Sequence, residues 1–202
     1  MLARRFTRLA AVLNVALASS CSSALMSSSD GGLSKGCVGA PAAPGSRLPL
    51  SGDESIMSPK KHGTTATPVQ ANLRWGIADV LASRICSYNR HYAEPSGSWV
   101  ATSFLREADR AGTTTFFDSV TGRPLFMAPR GRSFEEWERE SRAHGWPSFR
   151  DEEVVWDDVR VLPDGEAVSV GGTHLGHNLP DKKGNRYCIN LCSVAGRPAD
   201  GE

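Results

Sequence analysis

The stretch EVVWDDVRVL-PDG-EAVSVG, residues 153 to 171, constrains this chain more than any other. Two runs rich in β-branched and aromatic residues flank Pro163-Asp164-Gly165, the composition of a turn, so the stretch predicts an antiparallel hairpin. A hairpin cannot stand alone in water, and its apolar face requires a second layer. The same alphabet recurs upstream, where TTTFFDS and LFMA flank the turn VTGRP, and downstream in RYCINLCSV. Between them SFEEWERESRAHG predicts a helix, opened by a Ser133–Glu136 capping box and closed by Gly145. The expected fold is therefore mostly β within the α+β class: antiparallel strands with helices at the periphery.

The rest of the chain divides by composition. No acidic residue precedes Asp30, and Arg4, Arg5 and Arg8 lead into the apolar run LAAVLNVALA and then a serine-rich stretch. Residues 1–29 are expected to be a targeting segment for plastid or mitochondrion, with the secretory pathway as the alternative. The apolar run is too short to span a bilayer. Residues 30–68 are rich in Gly, Ser, Pro and Thr and are expected to be a disordered linker. After Thr67-Pro68, the residues Leu73, Ile77, Val80, Leu81 and Ile85 recur at helix spacing. A second helix is expected from Thr102 to Ala111, before Gly112. Residues 69–111 thus read as a helical N-terminal extension and 112–202 as the main domain, with GRPADGE as a loose tail. With 23 basic and 22 acidic residues, net charge gives no support to a nucleic-acid or membrane-surface partner.

Chemistry concentrates near the C-terminus. If RYCINLCSV is one strand, Tyr187, Ile189 and Leu191 share an apolar face, and Cys188, Asn190 and Cys192 share the other. Arg186 would favour a thiolate at Cys188, although a free cysteine is most often a small buried hydrophobe. His174 and His177 lie in GTHLGHNL, where Gly171, Gly172 and Gly176 argue against a helix. They could join Cys188 and Cys192 around a zinc ion, but on an extended strand those cysteines stand about 13 Å apart. Alternatively, one imidazole acts as a general acid beside a cysteine nucleophile. No C-x-x-C pair occurs among the five cysteines, so a four-cysteine zinc site is excluded. Trp146, in GWPSF, could wall an apolar pocket or simply fill the core.

In order, GRPLF, GWPSF, HLGH and RYCIN resemble the R-type methionine sulfoxide reductases, the MsrB or SelR family, over roughly residues 112–195. That resemblance implies two small antiparallel sheets packed together, the β-tent shared with Mss4-like proteins. It implies Cys188 as nucleophile, His174 and His177 as groups that bind and protonate the sulfoxide oxygen, and Arg186 and Asn190 as flanking site residues. Trp146 and Phe149 become the substrate contacts. The chemistry implied is reduction of methionine-R-sulfoxide, free or in proteins, with His177 as the expected proton donor, a sulfenic acid left on Cys188, no cofactor, and recycling by thioredoxin or a glutathione-type thiol. A monomer is expected.

The sequence departs from the family pattern. Asp118, Thr121, Val168 and Gly171 stand where many members carry zinc-binding cysteines, so no structural metal is expected. His144 replaces a frequent resolving cysteine, and HNL replaces the usual HVF. Cys86, placed near a helix end and opposite its apolar stripe, is the expected resolving thiol, with an external thiol as the alternative. The rival reading is a non-catalytic binding module of the same fold, which would have no need of a nucleophile beside an acid.

Overall fold

The computed structural model describes residues 48–199. The expected targeting segment, and the expected linker as far as residue 47, lie outside the described residues. From Leu48 onward the stretch read as linker is packed. The Gly52 N–H donates to the Val161 carbonyl at 2.9 Å, a 3-10 turn runs over Glu54–Met57, and Met57 and Thr65 are buried. Composition misleads here because polar bonds do the ordering: the Lys60 ammonium donates to the carbonyls of Ile56 at 2.6 Å and Thr64 at 2.8 Å.

The long helix expected after Thr67-Pro68 is short. Helix α1 is Asp79–Ser83, continued by a π-helical turn over Arg84–Tyr88. Asn72 and Trp75 adopt positive φ, 55° and 61°, and Gly76 follows at 71°, so the backbone turns where the apolar stripe predicted continuity. Trp75 instead packs on Phe104 and Phe116, with ring centroids 4.8 and 5.6 Å away. Of the stripe, Leu73, Ile77 and Ile85 are buried, whereas Val80 is 85% exposed. The second expected helix is the single turn α2, Phe104–Glu107. Beyond it Asp109 Oδ1 accepts the N–H groups of Ala111 and Gly112, both at 2.9 Å, a side-chain bond that competes with helix.

Strands β1 (Thr114–Phe117) and β2 (Pro124–Ala128) form a two-stranded antiparallel sheet. Helix α3, Phe134–His144, carries the expected capping box: Ser133 Oγ accepts the Glu136 N–H, and the Glu136 carboxylate accepts the Ser133 N–H. The remaining strands are β3 (Ser148–Phe149), β4 (Val159–Val161), β5 (Glu166–Ser169), β6 (His174–Asn178) and β7 (Tyr187–Ile189). They build a five-stranded sheet in the order β3-β7-β6-β5-β4, with antiparallel neighbours throughout. The described chain is therefore α+β and mostly β, with two antiparallel sheets and few helices.

An aromatic core joins the parts. Trp99 and Phe104, from the region read as an extension, pack against Trp137 of α3 at 5.8 and 5.6 Å. Phe116 of β1 meets Phe149 of β3 at 5.0 Å, and Phe149 stacks on Phe126 of β2 at 4.3 Å. Residues 69–111 are thus part of the core rather than an appendage. The expected loose tail is also held, as far as Ala199. Arg197 donates its N–H to Gln70 Oε1 at 2.8 Å and its Nε–H to the Asn72 carbonyl at 2.9 Å.

Candidate active site

The sheet brings the three motifs together. Ser148 of GWPSF lies opposite Cys188 of RYCIN, Cys188 lies opposite His177 of HLGH, and His177 lies opposite Glu166. Directly opposed residues on neighbouring strands present their side chains to one face, so a single row crosses the sheet: Ser148, Cys188, His177, Glu166. Residues three apart on a regular strand would face opposite ways. His174 nevertheless joins the row, because the β5–β6 register shifts between Ala167 and Val168. That bulge brings the two imidazoles to 5.6 Å between ring centroids.

Gly176, between the histidines, permits the close approach of β6 to β7, since a Cβ there would collide with the Cys188 carbonyl. Beyond Cys188 the expected nine-residue strand stops. It ends at Ile189, and Leu191–Ser193 form a 3-10 turn. The turn is held by a residue that sequence reasoning missed, the buried Glu94. Its carboxylate accepts the N–H groups of Leu191 at 2.5 Å and Cys192 at 3.2 Å. Its own N–H donates to Asn190 Oδ1 at 2.9 Å, and its carbonyl accepts Trp146 Nε1–H at 2.9 Å. Burial pushes the Glu94 carboxyl pKa up, and the two turn N–H groups oppose that rise. Nothing in the local pattern around Glu94 could have identified it, because its partners lie 96 to 98 residues away for the turn and Asn190, and 52 for Trp146.

A cavity of about 200 Å³ opens over this row. Cys188, His174, His177, Asn190 and Trp146 line it, and His91, Tyr92, Ala93, Gly176 and Leu179 complete the wall. Phe149 does not line it. It is fully buried in the aromatic core, because alternation along β3 turns it away from the face that carries Ser148. Arg186 is 8% exposed, with Nε 3.6 Å from Asp181 Oδ2. Its Nε and Nη1 make no hydrogen bond among the described residues.

The electrostatics differ from the expectation at Cys188. Burial raises the thiol pKa, and the nearby Arg186 cation offsets only part of that rise. At His177, burial and then the neighbouring His174 lower the imidazole pKa. His174 is 2% exposed, and its Nδ1 lies 2.6 Å from Glu166 Oε1. Glu166 in turn accepts from Arg90 Nε at 2.8 Å and Nη2 at 2.5 Å, and Arg90 Nη1 reaches Glu54 at 2.5 Å. The hydrogen bonds from His174 and Arg90 hold the Glu166 carboxyl below its usual range, against the opposing effect of burial.

Cys86 is buried, not the exposed thiol expected. Its Sγ lies 3.8 Å from the Cys192 carbonyl and 3.6 Å from Ser193 Oγ, because the helix that was to carry it on an outer face is replaced by a π-helical turn packed under Leu191–Ser193. The positions of the family's zinc cysteines do not fit a metal. Asp118 alone could ligate well, and it is engaged: Thr173 Oγ1–H donates to its carboxylate at 2.9 Å and the Val120 N–H at 2.9 Å. Among the described residues no group of three or more His, Cys, Asp or Glu is placed to hold an ion. No protein-family model matches this chain, and no solved structure matches it.

Proposed function

We propose that this protein is a methionine-R-sulfoxide reductase of the cysteine type, with the β-tent architecture of the family its motifs resemble. The single observation that carries the reading is the transverse row Ser148–Cys188–His177–Glu166 beneath a cavity walled by Trp146. A nucleophile, imidazoles and an indole converge there from motifs that are scattered in sequence. The cavity is small, about 200 Å³, and is suited to a methyl sulfoxide with the methyl group against the Trp146 ring.

In the reaction, the Cys188 thiol loses its proton and the sulfur attacks the sulfoxide sulfur. The sulfoxide oxygen gains a proton from a histidine and ends on the Cys188 sulfur as a sulfenic acid. Methionine sulfur is reduced by two electrons and Cys188 is oxidised by two. The neighbouring Arg186 cation favours the Cys188 thiolate. With Cys86 buried against the Cys192 carbonyl, recycling falls to an outside thiol, either thioredoxin or a glutathione-type reductant. No organic cofactor enters any step. The testing experiment supplies purified protein with the separate R and S diastereomers of a methionine sulfoxide substrate and dithiothreitol. Loss of the R form alone is the expected result, and turnover of neither form refutes the reading.

A further inference from the structure

Two histidines share this site, but their surroundings differ, and the difference assigns their tasks. His174 is clamped from behind. Its Nδ1 meets Glu166, Glu166 meets Arg90, and Arg90 meets Glu54, which forms a chain of alternating charge. His177 has no hydrogen-bonded carboxylate among the described residues and lies directly opposite Cys188 on the neighbouring strand. The groups that face His174 are Glu166 from β5, His177 from its own strand and Cys188 from β7. Arg90 and Glu54 stand behind Glu166, and His91 lies across the cavity.

Resting on the sulfoxide-reductase reading, we propose that Glu166, held in place by Arg90, is the positioning residue that makes His174 the proton donor to the sulfoxide oxygen, leaving His177 to take the proton of Cys188. A carboxylate on Nδ1 fixes the proton there, so Nε2 is the nitrogen presented to the cavity. His177 is depressed by burial and by His174, which suits a base that begins neutral. The protons balance. One passes from the Cys188 thiol to His177 and one from His174 to the oxygen, and a transfer between the two rings restores the starting state. The donor expected from sequence, His177, thereby exchanges its role with its neighbour.

The roles of Glu166 and Arg90 are absent from the motifs, since Arg90 lies 76 residues from Glu166. The test uses the full protein with Glu166→Gln, and with Arg90→Gln as a partly exposed second variant that carries less risk to folding. The expected result is a fall in kcat of about 100-fold or more for Glu166→Gln, with KM little changed. Arg90→Gln should give a smaller fall of the same kind. Independently of turnover, nitrogen-15 NMR of the wild-type protein should find neutral His174 protonated on Nδ1. Unchanged kcat in Glu166→Gln, or a wild-type His174 protonated on Nε2, overturns the proposal. If the wild-type protein turns over no sulfoxide, the functional reading fails and takes the proposal with it. Turnover by the wild type with an unaffected Glu166→Gln defeats the proposal alone.

Discussion

The site geometry depends on how closely β6 approaches β7, and Gly176 permits that approach. Gly176→Ala places a Cβ against the Cys188 carbonyl. The obstacle is backbone in the middle of a sheet, not the far end of a flexible side chain, so it cannot swing aside. Relief requires the strands to part. Overpacking of this kind costs roughly 1–3 kcal/mol, which for a domain of this size lowers Tm by about 2–12 °C. The effect on chemistry should be larger than the effect on folding, because the strands that part carry His177 and Cys188 opposite each other. A displacement of about 1 Å between reacting groups costs on the order of 100-fold. Circular dichroism melting and R-sulfoxide turnover, measured on one preparation at a temperature below both melting points, separate the two effects. A variant that melts as the wild type does, or that keeps more than about a third of wild-type kcat, would refute the claim that this approach sets the site.

Trp146→Ala should lower kcat/KM by about 1–2 kcal/mol, roughly 5- to 30-fold, with a smaller effect on Tm. A variant that fails to fold would place the indole in the core instead. Native alkylation read by peptide mass spectrometry should label Cys188, faster as pH rises because burial holds its thiol protonated. Cys86 and Cys192, both buried, should label only in denaturant, and native labelling of Cys86 would restore it as a resolving thiol. For pH, the relevant group is Asp118, whose carboxyl pKa is raised by burial. A carboxyl raised in the folded state contributes stability below its unfolded pKa and loses it as pH rises through the folded pKa. Asp118→Asn should therefore raise Tm at pH 7 by about 2–4 °C and flatten the Tm–pH curve above pH 4, because its hydroxyl partners can turn to accept. A lower Tm at pH 7 with unchanged pH dependence contradicts this.

The order of the motifs was legible because each is local: a capped helix delivers Trp146, a strand delivers Cys188, and glycines mark the strand of His174 and His177. The hairpin at Pro163-Asp164-Gly165 was legible for the same reason. What escaped depends on tertiary contact. The stripe from Leu73 to Ile85 has helical spacing, yet the packing of Trp75 on Phe104 outweighs propensity and breaks the helix. RYCINLCSV alternates like one strand, but the Glu94 carboxylate holds the N–H groups of Leu191 and Cys192 in a turn. Phe149 shares a motif with Trp146 and was read as a substrate contact, but β3 is only two residues long, and its pleat turns the ring into the core. Glu54, Arg90, Glu94 and Glu166 look like surface charges in sequence. Only the fold pairs Arg90 with Glu54 and Glu166 and brings Glu94 and Glu166 inside.

Cys188 is proposed to take the oxygen from a methionine sulfoxide. The most direct measurement is a single turnover without reductant, in which one equivalent of the R diastereomer is mixed with the protein and quenched with dimedone. The expected products are stoichiometric methionine and a dimedone adduct on the peptide that carries Cys188, with neither product from Cys188→Ser. Methionine formed equally by Cys188→Ser, or no methionine from the wild-type protein, would contradict it.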